Sequence, residues 1–307
     1  PKPKEEGDDV PIIVHYNNLV RSFLIAGKGR KVIDADYESL EPHCFASVSG
    51  DEGLQDIFNN GWDFYSTIAI KTEKLDEQRD KYPNGVSPDK KAPNFLKKID
   101  PSKRNQAKGY ALGIAYGMEA YALSKGLEIS QKDAEVLVDG YLNGFPKLKE
   151  WRINSREQVK QHGFIVNRVG RIRHLPKAKQ IYSKYGEQIL DWRFRKELSE
   201  RYGTEAVTQL YRDYKNAMNN CLNYQLQSLA AAVVNRAAIQ INRKLNELGI
   251  DGRVQAQVHD QLLINVPEDV AEQLKPIIQE LMENTTKLPG VTLKAPPEIA
   301  NNWFEGH

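Results

Sequence analysis

The stretch Gln255 to Val266, QAQVHDQLLINV, constrains this chain more than any other. Val258, Leu262, Leu263, Ile264 and Val266 have the β-branched and aliphatic content of a buried β-hairpin. Between the two apolar runs sits one ionisable pair, His259 and Asp260. At the tip of such a hairpin this pair costs free energy unless a metal or an ion partner compensates it. A second acidic strand end lies far upstream in KVIDADYESLEPH, where Lys31 to Ile33 run into Asp34, Asp36 and Glu41. Asp is also common in turns, so either stretch alone reads equally well as a turn. Together, two carboxylates that each close a strand are what a two-metal phosphoryl-transfer centre requires.

A third stretch, DPSKRNQAKGYALGIAYGMEAYAL, carries the reading further. Pro101 stands where a first helical residue should, with Asp100 as its N-cap. Arg104, Lys108, Leu112 and Tyr116 then recur every fourth residue and share one helical face. An amphipathic core stripe would not place Arg and Lys on that face, although a solvated charged face would. A helix presenting an Arg fork, a Lys point charge and an aromatic ring suits a nucleoside triphosphate.

The three stretches together resemble the family A DNA polymerases. DADYESLEPH is similar to the family's first carboxylate motif, D-Y-S-x-x-E-x-R, and QVHDQ to its second, V-H-D-E. RNQAKGYALGIAYG is similar to its fingers helix, R-x3-K-x3-(F/Y)-x3-Y-G. GRIRHLP, NYQLQSLAA and the C-terminal NNWFEGH follow in the family's order, so the resemblance covers nearly the whole chain. It implies an α+β fold, a polymerase palm with an antiparallel sheet plus a mainly helical fingers subdomain. Residues 1–62 and 215–307 would form the palm and 63–214 the fingers, joining Asp36 and Asp260 in one sheet.

The implied activity is template-directed DNA synthesis, adding deoxynucleotides to a primer 3′-hydroxyl with release of pyrophosphate. Asp36 and Asp260 would bind two Mg²⁺ ions, for which Mn²⁺ could substitute, with the Tyr37 carbonyl as an extra ligand. Arg104 would contact the outer phosphates, and Lys108 the α-phosphate, where it could also protonate the leaving group. Leu112, Tyr116 and Tyr65 complete the nucleotide set, with Glu41 as a gate against a ribose 2′-hydroxyl. Fingers closure would bring this helix onto the palm once a correct pair forms. Asn223 and Gln227, four apart on a helix, would touch template and primer, and His259 the primer end or its own turn. Each has a plainer reading: a helix-start glutamate for Glu41, helix–helix hydrogen bonding for Asn223 and Gln227.

Four positions depart from the family pattern. Gln261 stands in place of a second glutamate, Leu112 of an aromatic ring, His43 of an arginine and Tyr65 of a histidine. Leu112 gives the helix a phage-type flavour. Three rivals share parts of the pattern: a single-subunit RNA polymerase, an inactive primer-template-binding module and a two-metal nuclease. Glu41 and GRIRHLP favour DNA synthesis, and a nuclease gives no reason for the cationic helix.

Composition bounds the rest. At 307 residues, with 40% hydrophobic and 27% charged, the chain can bury one large core or two modest ones. Its 43 basic and 41 acidic residues leave a net charge of +2, so DNA binding would need local basic surfaces. Lys90 to Lys108, and Arg168, Arg171 and Arg173, are the candidates. Two cysteines give neither a disulfide framework nor zinc spacing. No apolar run reaches membrane-spanning length, so a cytoplasmic location, bacterial or in a phage-infected host, is the default. The polar start, PKPKEEGDDVP, reads as a flexible lead-in or a cut end, Ile12 to His15 as an extended segment, and the polar residues 71–100 as a mobile insertion. Ser130 with Asp133 reads as a capping box opening a helix, Glu187 to Tyr202 as one helix, Thr204 to Leu248 as a helical stretch broken near Asn219 to Asn223, and Val291 to Ala295 as the last strand. The resemblance implies that a thumb and exonuclease region belongs upstream, on the same or a separate chain.

Overall fold

The computed structural model describes residues 19–306; the lead-in and the extended segment expected at Ile12 to His15 lie outside them. The chain opens with strand β1 (Arg30–Asp36), then helices α1 (Leu40–Ser49), α2 (Glu52–Asn59), α3 (Phe64–Glu73) and the short α4 (Leu96–Ile99). Next come α5 (Pro101–Ala115), α6 (Ala120–Leu127), α7 (Gln131–Gly144) and α8 (Pro146–His162). A hairpin of β2 (Phe164–Val166) and β3 (Ile172–His174) precedes α9 (Pro176–Tyr185), α10 (Trp192–Tyr202) and the 44-residue α11 (Thr204–Glu247). The chain closes with β4 (Arg253–Val258), β5 (Gln261–Pro267), α12 (Ala271–Asn284), β6 (Pro297–Ala300) and α13 (Trp303–Gly306). The fold is α+β.

Two compact units divide these elements. Among the described residues, the sheet unit comprises 19–40, Ala230–Leu288 and 292–306. Its four strands run in the order β4-β5-β1-β6, every neighbouring pair antiparallel. β1 and β5 are central and nearly continuous apolar runs, Val32 and Ile33 in one and Leu262 to Ile264 in the other. Helix α12 packs on β1 and β6 with Leu274, Ile278 and Met282 buried. The Tyr37 hydroxyl, buried, donates to the Met282 carbonyl at 2.6 Å and so pins the end of β1 to that helix.

The helical unit comprises Glu41–Leu229 with Pro289–Val291. Helix α3 packs against both α5 and α7, around Phe45, Ile68, Leu96, Tyr110, Ile114 and Tyr141. A second cluster joins Val159, Ile165, Ile181, Tyr214 and Leu222. Helix α5 starts where the sequence predicts: Asp100 Oδ1 accepts the Lys103 backbone N–H, and Pro101 occupies the first turn. Ser130 caps α7 in the expected box, accepting from the Asp133 N–H while its hydroxyl donates to Asp133 Oδ2 at 2.6 Å.

The structure differs from the expected elements in four places. The mobile insertion expected over 71–100 is instead anchored: Leu75, Tyr82, Phe95 and Leu96 are buried, and Lys81 and Tyr82 donate to Asp100 at 2.9 and 2.7 Å. Helix α11 runs unbroken through Asn219 to Asn223, in place of the expected break. Cys221, Leu222 and Leu226 are buried there, and packing overrides the weak helix preference of Asn. One helix expected over Glu187 to Tyr202 is a single-turn 3₁₀ segment, Gly186–Leu190, followed by α10, and α9 precedes both. The last strand lies at Pro297–Ala300, downstream of the apolar Val291 to Ala295. It pairs only with β1, and Pro297 is tolerated as the first residue of an edge strand.

Candidate active site

In the sheet unit, β1 and β5 set the acidic residues. The register opposes Asp36 to Gln261, so Asp260, immediately before Gln261, stands beside the end of β1. The Tyr37 N–H donates to the Asp260 carbonyl at 3.4 Å, tying the two strand ends together. His259 and Asp260 form the two-residue connection between β4 and β5. There His259 takes a φ of 54°, a left-handed conformation in which His is enriched among side-chain-bearing residues. Shielding by surrounding protein, then the charge of Asp260, push the Asp36 carboxyl up to about 6. Asp36 opens to solvent, so water screens part of this.

That donor set fits a divalent cation. Two like charges held together gain from a cation between them, and magnesium prefers few carboxylates with water and phosphate oxygens. Among the described residues no group of three or more His, Cys, Asp and Glu gathers into a protein-only cage.

A further acidic residue lies alongside. Asp34, buried, accepts from the Gln261 amide nitrogen at both carboxylate oxygens, at 2.7 and 2.8 Å. Gln261 Oε1 in turn accepts the Trp303 indole N–H at 2.9 Å. Burial pushes the Asp34 carboxyl up to about 7 against the Gln261 bonds, with Asp36 adding to the rise.

In the helical unit, α5 presents the expected cationic face. Tyr65, on α3, lies against two of its members: the Arg104 guanidinium is 5.5 Å from the ring centroid and Lys108 Nζ 5.8 Å. Arg104 also forks onto Asp63, with Nε and a terminal nitrogen donating at 2.8 Å each. Burial raises the Asp63 carboxyl, but bonds from Arg104 and Ser66 outweigh it and leave the group below its usual range. Lys108 is exposed, and Leu112 is half-buried.

At the far end of α5 the half-buried Tyr116 donates to Glu41 Oε2 at 2.6 Å. Burial and that bond hold the phenol well above its ordinary range, so Tyr116 acts as a neutral donor. Gly117 follows with a φ of 100°, where any other residue would be strained, and a Cβ there would meet Asn219 Oδ1 at 2.7 Å. His43, buried in α1, packs on Phe58 with ring centroids 3.9 Å apart and the rings tilted by 32°. On α11, Gln227 is exposed, and Asn223 Oδ1 is buried without a hydrogen-bond partner.

The structure thus groups Arg104, Lys108 and Tyr65, pairs Tyr116 with Glu41, and sets Asp36 beside Asp260. Sequence reasoning missed Asp63, although an Asp before the apolar start of α3 signals an N-cap. It also missed the chain of bonds from Trp303 to Asp34, which no local spacing announces.

The chain belongs to DNA polymerase family A, whose family model matches residues 89–305. It is 27% identical over 299 residues to DNA polymerase I of Pseudomonas aeruginosa, covering 97% of this chain and 28% of the relative. It is 28% identical over 298 residues to the thermostable DNA polymerase I of Thermus filiformis, again covering 97% of this chain and 30% of that one. The chain therefore spans under a third of the length of these curated relatives. Its fold matches the POL domain of Pol1 from M. smegmatis, solved in complex with DNA primer-template and dNTP. There the TM-score is 0.73 and the identity 25%, covering 97% of this chain and 44% of that one. None of the described helices is long and apolar enough to cross a membrane.

Proposed function

We propose that this chain catalyses template-directed DNA synthesis, adding deoxynucleotides to a primer 3′-hydroxyl and releasing pyrophosphate. The observation that carries the reading is the meeting of Asp36 and Asp260 at neighbouring strand ends, where the register sets one beside the other and the Tyr37 N–H ties them together. We read the sheet unit with adjoining residues as palm and the helices as fingers, close to 1–62 with 215–307 and 63–214. Primer-template DNA and deoxynucleoside triphosphates are the proposed partners, as in the M. smegmatis complex.

Asp36, Asp260 and the Tyr37 carbonyl would hold two Mg²⁺ ions, or Mn²⁺ in their place. Bound there, the metal would lower the pKa of the primer hydroxyl and neutralise charge developing on the phosphates. Lys108, exposed on α5, would meet the α-phosphate side and could give a proton to the leaving pyrophosphate. Arg104 would grip the outer phosphates, its fork already oriented by Asp63. Tyr65 would brace both cations through its ring. Tyr116 would fix the Glu41 carboxylate so that it blocks a 2′-hydroxyl, favouring deoxynucleotides over ribonucleotides. Leu112 would pack against the nucleotide without a hydroxyl of its own. Gln227, exposed on α11, would face DNA, with Asn223 and His259 beside the primer end.

The test is primer extension with Mg²⁺ by this chain, alone and with any upstream partner. Extension that prefers deoxynucleotides supports the reading, and Asp36→Ala or Asp260→Ala should abolish it while leaving primer-template binding intact. Residual turnover above about a thousandth of the unsubstituted rate, roughly 4 kcal/mol of barrier, would argue against it.

A further inference from the structure

Asp34 and Asp36 are two apart on β1 and so lie on the same face of the sheet. Gln261, opposite Asp36 in register, turns its amide to Asp34, and its nitrogen donates to both oxygens of the one carboxylate. Its carbonyl oxygen takes the indole N–H of Trp303. The bonds run one way: Trp303 donates to residue 261, and residue 261 donates to residue 34. A carboxamide suits the middle place because it accepts at one atom and donates from the other. Asp34 and Gln261 are each 4% exposed, so water does not substitute for these bonds. A buried carboxylate on the same strand face as Asp36 is costly, and a fold that bonds both its oxygens keeps it in one orientation.

Glutamate in place of Gln261 would still accept from Trp303, but it would press a second anion against Asp34. One carboxylate and one carboxamide therefore form a matched pair, and either order satisfies it. When Asp34→Asn accompanies Gln261→Glu, the indole of Trp303 and the new amide on β1 both donate to the new carboxylate on β5.

We infer that Asp34 is a positioning residue: held by Gln261 and Trp303, it supplies the fixed negative charge beside Asp36 and Asp260 that strengthens cation binding there. Gln261 is then an orienting amide, and the negative charge that the family pattern places at position 261 sits on the neighbouring strand. This inference rests on the proposed reading of Asp36 and Asp260 as metal ligands.

The experiment follows Mn²⁺ binding to the full chain by the loss of its free-ion electron paramagnetic resonance signal, at mildly alkaline pH, with thermal unfolding measured in parallel. Asp34→Asn removes the charge, keeps the shape and leaves one acceptor for Gln261. It is expected to weaken Mn²⁺ binding about tenfold or more, as loss of a supporting carboxylate does, with little change in unfolding temperature. Gln261→Glu alone is expected to lower the unfolding temperature. The exchanged pair, Asp34→Asn with Gln261→Glu, should return the binding constant to within about twofold of the unsubstituted chain and restore the unfolding temperature.

Unchanged binding in Asp34→Asn would overturn the inference, as would an exchanged pair no better than Gln261→Glu alone. Should Asp34→Asn fail to fold, the comparison of Gln261→Glu with the exchanged pair still decides. Asp36→Asn separates the positioning role from the metal site itself. Loss of binding there with none in Asp34→Asn sinks only the positioning role, whereas normal binding in Asp36→Asn sinks the metal-site reading beneath it.

Discussion

The fork between Arg104 and Asp63 yields a stability prediction that the structure sizes. Both side chains are nearly covered, 12% and 11% exposed, and two bonds of 2.8 Å join them. A fully exposed pair would be worth roughly 0–1 kcal/mol, whereas hydrogen bonds to charged groups reach about 1.5–3 kcal/mol. The arrangement here lies nearer the second case, so a coupling of about 2 kcal/mol is expected. Asp63 has a second task, since its Oδ1 accepts the Ser66 N–H at 2.9 Å and caps α3. Asn also caps helices, so Asp63→Asn removes the charge and spares the cap, while Asp63→Ala should cost about 1 kcal/mol more. The assay is urea unfolding of a double-mutant cycle built from Asp63→Asn and Arg104→Met. Because the folded carboxyl is held below its ordinary range, its contribution is present above the unfolded value of about 3.9 and lost as pH falls through the folded one. A coupling below about 0.5 kcal/mol at neutral pH, or one that grows in acid, would refute this reasoning.

Other consequences are equally concrete. Glu41→Ala should raise ribonucleotide incorporation in competition assays, and Tyr116→Phe should do so more weakly, because it frees the carboxylate without deleting it. Leu112→Tyr should improve dideoxynucleotide incorporation by supplying a ring hydroxyl; termination ratios left unchanged would count against the placement of Leu112 near the sugar. Asp34 and Asp36 have carboxyls lifted to about 7 and about 6, so the folded state holds their protons more tightly than the unfolded chain. In metal-free buffer their contribution to stability should therefore fall as pH rises from about 4 to about 7, and Asp34→Asn should flatten that slope in unfolding measurements.

The parts legible in the sequence were those whose signals are local. Asp100 and Pro101 mark the start of α5, its four-residue spacing sets Arg104, Lys108, Leu112 and Tyr116 on one face, and the apolar runs about His259 and Asp260 mark a tight hairpin. Strand ends that carry Asp36 and Asp260 were readable for the same reason. The rest depended on tertiary partners. Asn219 reads as a helix breaker, yet it accepts from Arg156 and stays inside α11. Polar residues over 71–100 suggested a loose loop, but Tyr82 and Lys81 reach Asp100 and tie it down. Pairings such as Asp63 with Arg104, or Gln261 with Asp34, join residues far apart in the chain, and spacing carries no trace of them.

Placing iron at the proposed cation site offers the most direct test of whether Asp36 and Asp260 serve one centre. Fe²⁺ substituted for Mg²⁺, with ascorbate and peroxide, generates hydroxyl radicals that cut the backbone within reach of the bound ion. Cleavage at two places, beside residue 36 and beside residue 260, suppressed together by excess Mg²⁺ and by Asp36→Asn, is the predicted outcome. Cuts at one of them alone, or at neither, would contradict a shared metal centre and the polymerase mechanism built on it.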